Sequence, residues 1–218
     1  MIKAGVIGVG HLGSIHLKLL NESSYFELIG FHDNDLEKSK IFSNDFTFFK
    51  QSIKLIKSVD VIFICSNTPT HYNIAKTCLE HNKHVFIEKP YALDIPGLHS
   101  IVETAKKAQS AGQSVLTGLV WRYTPHLMEM DKRLQDGAIG DILNVSSSYC
   151  GGGRPNQMPD PKFKPAEMSD MEWALRFWQN FLELSGDGVL EYHIHGIDRM
   201  AWWMGDQLPV RCYANGAN

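Results

Sequence analysis

The stretch KAGVIGVGHLGSIHLKLL, residues 3–20, changes its period in the middle, and that change decides the fold. Its first residues, through Ile7, form a short apolar run of β character. From Leu12 onward the apolar side chains return at helical spacing: Leu12, Ile15, Leu19 and Leu20, with His16 on the same pattern. Between the two runs lie Gly8, Gly10 and Gly13, spaced Gly-x-Gly-x-x-Gly. A strand that enters such a turn and leaves it as a helix has a physical use. Glycine permits the tight turn, lets a pyrophosphate approach the backbone and lets the helix pack on the strand, while the free N–H groups of the first helical turn face the phosphates. Gly8, Gly10, His11, Leu12 and Gly13 are therefore the expected pyrophosphate cradle. Asp33 ends the next apolar run, 20 residues after Gly13. A carboxylate there accepts hydrogen bonds from both ribose hydroxyls and repels a 2′-phosphate, which favours NAD over NADP as cofactor. The alternative for Asp33 is a helix N-cap.

Outward from that stretch, FELIGFH, DVIFIC and HVFIE are further short β-rich runs. Apolar residues at helical spacing follow Gly10, Asp35, Pro69 and Asp94. Strands alternating with helices predict a parallel sheet covered on both faces. SVLTGLVWRY predicts a sixth strand near residues 114–122, and PHLMEMDKRLQDG a helix stopped by Gly137. The pattern then changes. DILNVSSSYC alternates polar and apolar positions like an antiparallel strand, and GGGRPNQMPDPKFKPAEMSD reads as an irregular loop. DMEWALRFWQNFLELSG reads as a helix whose Trp173, Phe177, Trp178 and Phe181 make one core stripe. A second helix is expected in GVLEYHIHGIDRMAWWMG and a last strand in PVRCYANG. The expected fold class is α/β: a Rossmann-type parallel-sheet domain, residues 1–122, followed at 123–218 by an α+β substrate domain with a mostly antiparallel sheet, incomplete here.

Composition narrows the function classes. The 218 residues are 44% hydrophobic and 21% charged with a net charge of -3, the balance of a soluble globular chain. There is no run of Lys and Arg, so neither nucleic acid nor an anionic membrane is an expected partner. No purely apolar run exceeds the length of VIFIC, far short of a bilayer span, and the chain opens without a secretory signal pattern. Cys65, Cys78, Cys150 and Cys212 show no C-x-x-C spacing, as fits free thiols in a cytoplasmic protein.

HVFIEKPYAL, residues 84–93, poses a separate question, because an apolar strand stops abruptly at Glu88, Lys89 and Pro90. By itself this is a charged turn at a strand end. With GVIGVGHLG, NTPTHYNIA, KHVFIEKPYAL and GLVWRYTPHL in this order, and LSGDGVLEYHIHGIDRMAWWMG near the end, the chain resembles the glucose-fructose oxidoreductase / inositol dehydrogenase (Gfo/Idh/MocA) family. The resemblance implies NAD-dependent oxidation or reduction of a secondary alcohol or ketone on a sugar or cyclitol. It implies that Lys89 reaches the substrate beside the nicotinamide, that Pro90 follows a cis bond, and that Glu88 and Lys89 border the cofactor. His195 becomes the acid/base group, and Glu191, where the family usually has Asp, holds or polarises it. Asn67, Thr68 and Pro69 are assigned to the adenosine side. His71 either lines the dinucleotide groove or caps a helix, and Arg122 faces cofactor or substrate or makes a surface ion pair.

On a regular helix Glu191, His195, Asp198 and Trp202 share one face. His193 and His195 do not face each other and have no accompanying ligand set, so no metal site is expected. The same resemblance admits two other readings: an NAD-dependent glycosidase, and a non-catalytic NAD-binding sensor or scaffold. The chain stops after about two strands of the sheet that family members use to form homo-oligomers.

Overall fold

The computed structural model describes residues 1–150 and 159–215. The chain divides into two compact units. The first is Met1–Gly118 with the described part of Arg154–Asp187; the second is the described part of Leu119–Gly153 and Gly188–Asn218.

The first unit is a doubly wound parallel sheet. Strands β1 (Ile2–Ile7), β2 (Phe26–His32), β3 (Val61–Ile64), β4 (His84–Ile87) and β5 (Val115–Thr117) are all parallel, in the order β2-β1-β3-β4-β5. Beyond β2, the Phe31 N–H donates to the Thr47 carbonyl (2.9 Å) and the Phe49 N–H to the Phe31 carbonyl (2.8 Å), a parallel bridge at Phe48. Counting that bridge as a strand position gives the order 3-2-1-4-5-6, with Val115–Thr117 sixth.

Side-chain alternation sends β1 and β3 residues to opposite faces. Ala4, Val6 and Val61 join Leu17, Leu20 and Phe31 under α1 (His11–Glu22). Ile7, Ile62 and Ile64 join Leu55, Leu79, Val85, Ile87 and Ile101, under α3 (Ser52–Ser58), α4 (His71–Glu80) and α5 (Ile95–Ser110). Truncating a fully buried member such as Ile62 to alanine costs about 2–5 kcal/mol. α2 (Leu36–Phe42) follows β2 and is capped by the Asp35 side chain, which accepts the Glu37 N–H at 3.0 Å.

Four expectations need correction. The strand expected to run to residue 122 ends at Thr117, and Val120–Tyr123 is a 3-10 turn. Gly118 makes the last sheet bond, its N–H to the Ile87 carbonyl at 2.9 Å, and a Cβ there would sit 2.6 Å from a Glu88 carboxylate oxygen. The aromatic helix is broken into α7 (Asp170–Arg176), a 3-10 turn at Trp178–Asn180, and α8 (Leu182–Ser185). Its aromatic residues resist helix: Phe177 (φ -113, ψ 35) and Phe181 (φ -114, ψ 121) both leave the helical region. Trp173 is still buried, 4.7 Å from the Phe177 ring, and α8 packs on the Thr68–Thr70 turn, placing this segment with the first unit.

In the second unit α6 (Pro125–Gln135) ends as expected. Gly137, at φ 80, donates to the Leu134 carbonyl and Ala138 to the Arg133 carbonyl, both at 3.0 Å, the paired bonds of a left-handed cap. The second helix is not regular: a π-turn at Val189–His193 precedes α9 (Ile194–Trp203). DILNVSSSYC and the described part of PVRCYANG form no ladder. Strand backbone is stable only when a neighbour takes its N–H and C=O groups, and among the described residues neither segment has one; Leu143 and Val210 stay fully exposed. The antiparallel sheet is therefore not formed among the described residues.

Candidate functional site

The glycine turn is built by exclusion of side chains. Gly8 sits at φ 89, and a Cβ on it would lie 2.5 Å from the Ser66 nitrogen. A Cβ on Gly13 would lie 1.9 Å from the Gly8 carbonyl oxygen, so only glycine lets α1 approach this closely. Gly10 differs: beyond Gly10 itself and its two chain neighbours, no atom of the described residues lies within 4 Å of its Cβ position. Gly10 is also the N-cap of α1 and supplies no side-chain cap, so the first N–H groups of the helix are left for an anion. His11 and Leu12 follow on the exposed side of that first turn.

Asp33 faces the same turn. Its Oδ2 accepts the Val9 N–H and its Oδ1 the Asp35 N–H, both at 2.8 Å. It does not cap α2, a task taken by Asp35. Two carboxylate oxygens offer about four lone-pair positions, so each oxygen retains capacity for a ribose hydroxyl. Glycine cradle, uncapped helix and carboxylate together fit a dinucleotide.

The ends of β3 and β4 complete this edge. After β3 the chain turns through Asn67 into the 3-10 turn Thr68–Thr70, with the Thr70 hydroxyl bonding the Asn67 carbonyl at 2.8 Å and the Ser66 hydroxyl at 2.7 Å. Pro69 lies within that turn and Thr68 is buried. After β4, the Glu88 N–H bonds the Ile64 carbonyl at 3.0 Å, and the Lys89–Pro90 peptide is cis. Glu88 and Lys89 thus stand at the C-terminal edge of a parallel sheet, where such folds bind ligands. Sequence reasoning missed the partner of Glu88: His16 Nε2 lies 2.9 Å from its Oε1, with the imidazole against Phe63 and Phe86. The reading of His71 as lining the groove or capping a helix is corrected. Its ring is 1% exposed, with Nδ1 2.8 Å from the Pro90 carbonyl and Nε2 2.9 Å from the Ser66 carbonyl, so no ring nitrogen is left for a ligand. Burial, reinforced at Cys65 by the Glu88 carboxylate, raises the thiols of Cys65 and Cys78, the latter to about 12, so neither is a nucleophile at neutral pH.

Arg122, Glu191 and His195 belong to the second unit. Arg122 Nε donates to Asp198 Oδ1 at 2.9 Å, while its Nη1 and Nη2 grip Asp206 at 3.0 and 2.6 Å, and its guanidinium lies 5.7 Å from the centre of the Trp202 ring. The hydrogen bonds that the guanidinium donates to Asp206 and then to Asp198 push its pKa up. Glu191 is buried in the π-turn, and His195, on the first turn of α9, stacks on Trp121 at 5.4 Å. Trp121 also carries the Arg199 guanidinium, 4.6 Å from the ring centre, and Arg199 donates to the Ser147 hydroxyl at 2.9 Å. Among the described residues no group of three or more His, Cys, Asp or Glu is arranged to hold a metal ion. No helix there is long and apolar enough to cross a membrane.

A family model described as an oxidoreductase family with an NAD-binding Rossmann fold (Gfo/Idh/MocA) matches residues 2–115. The chain belongs to this family. Among the curated members of the Gfo/Idh/MocA family, it is 25% identical to a myo-inositol 2-dehydrogenase of Thermotoga maritima, over 99% of this chain and 58% of that one. It is 26% identical to an inositol 2-dehydrogenase of Salmonella typhimurium, over 97% of this chain and 57% of that one. A solved myo-inositol 2-dehydrogenase of Lactobacillus plantarum shares the fold, with a TM-score of 0.71 at 22% identity, over 94% of this chain and 56% of that one. The chain thus spans a little under three-fifths of the length of these relatives.

Proposed function

We propose that this Gfo/Idh/MocA chain is an NAD-dependent oxidoreductase for a secondary alcohol or ketone of a sugar or cyclitol. The observation that carries the reading is the edge shared by Asp33 and Lys89: a carboxylate held beside the glycine turn and an amine at the end of β4, both at the C-terminal ends of one parallel sheet. The names of the inositol 2-dehydrogenase relatives support the substrate class. Asp33 supports NAD rather than NADP, since a 2′-phosphate would bring like charge against its carboxylate.

The dinucleotide, when bound, supplies the hydride acceptor or donor. Gly8, Gly10, His11, Leu12 and Gly13 would cradle its pyrophosphate, Asp33 would accept its ribose hydroxyls, and Asn67, Thr68 and Pro69 would border its adenosine. Glu88 and Lys89 would border the nicotinamide side. Lys89 would hold the substrate oxygen by hydrogen bond. His195 would take the hydroxyl proton in oxidation and return it in reduction, with Glu191 fixing the imidazole. In this division of labour the dinucleotide domain, residues 1–122, carries Lys89, and the substrate domain, 123–218, carries Glu191 and His195.

The test has two stages. Thermal melting of the chain with NAD and with NADP is expected to show a selective rise with NAD, about 2.7 kcal/mol at a hundred times the Kd. Sugars and cyclitols are then screened for turnover, and Lys89→Ala is expected to cut kcat about 100-fold or more with NAD affinity nearly intact. Equal activity in that variant would remove Lys89 from the chemistry.

A further inference from the structure

His71 opens α4 and is almost completely enclosed. Its two ring nitrogens meet two carbonyls, Pro90 at 2.8 Å and Ser66 at 2.9 Å. The first carbonyl belongs to the residue that follows Lys89. The second belongs to the loop leaving β3, immediately before Asn67. One buried ring therefore bridges the two backbone segments that emerge at the ligand edge of the sheet, one bearing the amine and the other bordering the adenosine side. A side chain with both nitrogens committed offers nothing to a ligand, and its work lies in what it holds. The bridge is also stiff, because an imidazole has only two rotatable bonds and this one is packed on all sides.

A neutral imidazole carries one N–H and serves one carbonyl; a protonated one serves both. Burial favours the neutral ring, while the two carbonyls and the nearby Glu88 carboxylate work the other way.

We propose that His71 is a positioning residue for Lys89: by fixing the Pro90 carbonyl against the β3 loop, it sets the direction in which the Lys89 side chain leaves its turn. The proposal rests on the reading of Lys89 as the group that holds the substrate oxygen.

The test uses the full chain with its lysines reductively methylated with 13C, the Lys89 resonance being identified by its loss in Lys89→Arg. His71→Phe keeps the ring volume and removes both nitrogens; His71→Gln keeps one donor group. In His71→Phe the Lys89 methyl resonance is expected to move and broaden, with partial recovery in His71→Gln, while NAD affinity by titration stays within about threefold. With a substrate found by the screen, kcat is expected to fall about tenfold or more in His71→Phe with KM within about threefold. Added to Lys89→Ala, the same change is expected to cost less than about twofold, because both act on one group. An unmoved Lys89 resonance in a folded variant, or losses that multiply in full with those of Lys89→Ala, would overturn the proposal. If His71→Phe does not fold, His71→Gln carries the same readouts. If the wild-type chain turns over no substrate, the proposed function fails, and the resonance still decides whether His71 positions Lys89.

Discussion

The Asp33 carboxylate is tied to the turn it serves: Oδ2 accepts the Val9 N–H from within the glycine motif, and Oδ1 accepts the Asp35 N–H, both at 2.8 Å. One side chain thus fixes the turn and, in the function proposed, would also present an acceptor to the ribose. Asp33→Asn turns one of the two acceptor oxygens into a donor that opposes a backbone N–H. The expected cost is about 1–3 kcal/mol in unfolding free energy. The preference for NAD over NADP is expected to fall about 10- to 100-fold, as the ratio of two Kd values from titration calorimetry, because the repelling charge is gone. An unchanged ratio would take Asp33 out of cofactor choice.

Two glycines of the same turn, Gly13 and Gly10, separate folding from binding. Gly13→Ala forces a Cβ into the Gly8 carbonyl oxygen, 1.9 Å away, and the turn or α1 must move. A loss of about 1–3 kcal/mol is expected in urea unfolding, with loss of NAD binding. Gly10→Ala meets no neighbour within 4 Å and keeps an allowed backbone at φ -66 and ψ -158. Its stability is expected to stay within about 0.5 kcal/mol of wild type while NAD affinity falls about tenfold or more. Full NAD affinity in Gly10→Ala would mean that no phosphate passes over this residue.

The contrast between these residues shows what was legible in the sequence. Gly8, Gly10 and Gly13 were readable because their constraint is local, a strand period ending and a helix period starting around them. The place of Asp33 beside that turn was readable by its distance along the chain. The His16–Glu88 contact was not, since its partners are 72 residues apart and the helical period records only that His16 lies on the apolar face. His71 was misread for the same reason: a motif names the residue, but only the packed structure shows that two carbonyls enclose it. The strands expected at DILNVSSSYC and PVRCYANG failed on a different physical point. Alternation describes which side chains differ, whereas a strand also requires a neighbour to take its hydrogen bonds. The π-turn at Val189–His193 had no sequence signal among those read.

Arg122 joins two carboxylates of unequal exposure. Asp198 is largely buried, its side chain 9% exposed, whereas Asp206 is 58% exposed. The Arg122 hydrogen bonds hold the Asp206 carboxyl below its usual range, so its contribution is present above pH 3.8 and lost as pH falls through the lowered value. Solvent screening keeps that contribution small. Asp206→Asn is expected to change stability by about 1 kcal/mol or less, and by still less in 1 M salt. Asp198→Asn weakens a buried partner of the guanidinium and is expected to cost about 1–3 kcal/mol with little salt dependence. Equal effects of the two substitutions in urea unfolding would mean that burial does not distinguish the two contacts.

His71 makes stability depend on pH with a definite sign. Burial, the largest influence, lowers its pKa from 6.5 against the opposing pull of the Ser66 and Pro90 carbonyls and of Glu88. As pH falls below 6.5 the unfolded chain protonates this ring before the folded chain does. The unfolded state then binds more protons, so unfolding free energy declines with falling pH and levels off only below the lowered folded-state value. Above about pH 7.5 both states hold the ring neutral and the effect vanishes. His71→Phe removes this slope and leaves the carboxylates and other histidines unchanged. The stability advantage of wild type over His71→Phe, from urea unfolding at about pH 7.5 and again at about pH 5.5, is therefore expected to shrink on acidification. An advantage that grows instead would show that folding raises the proton affinity of His71, with the two carbonyls and Glu88 outweighing burial.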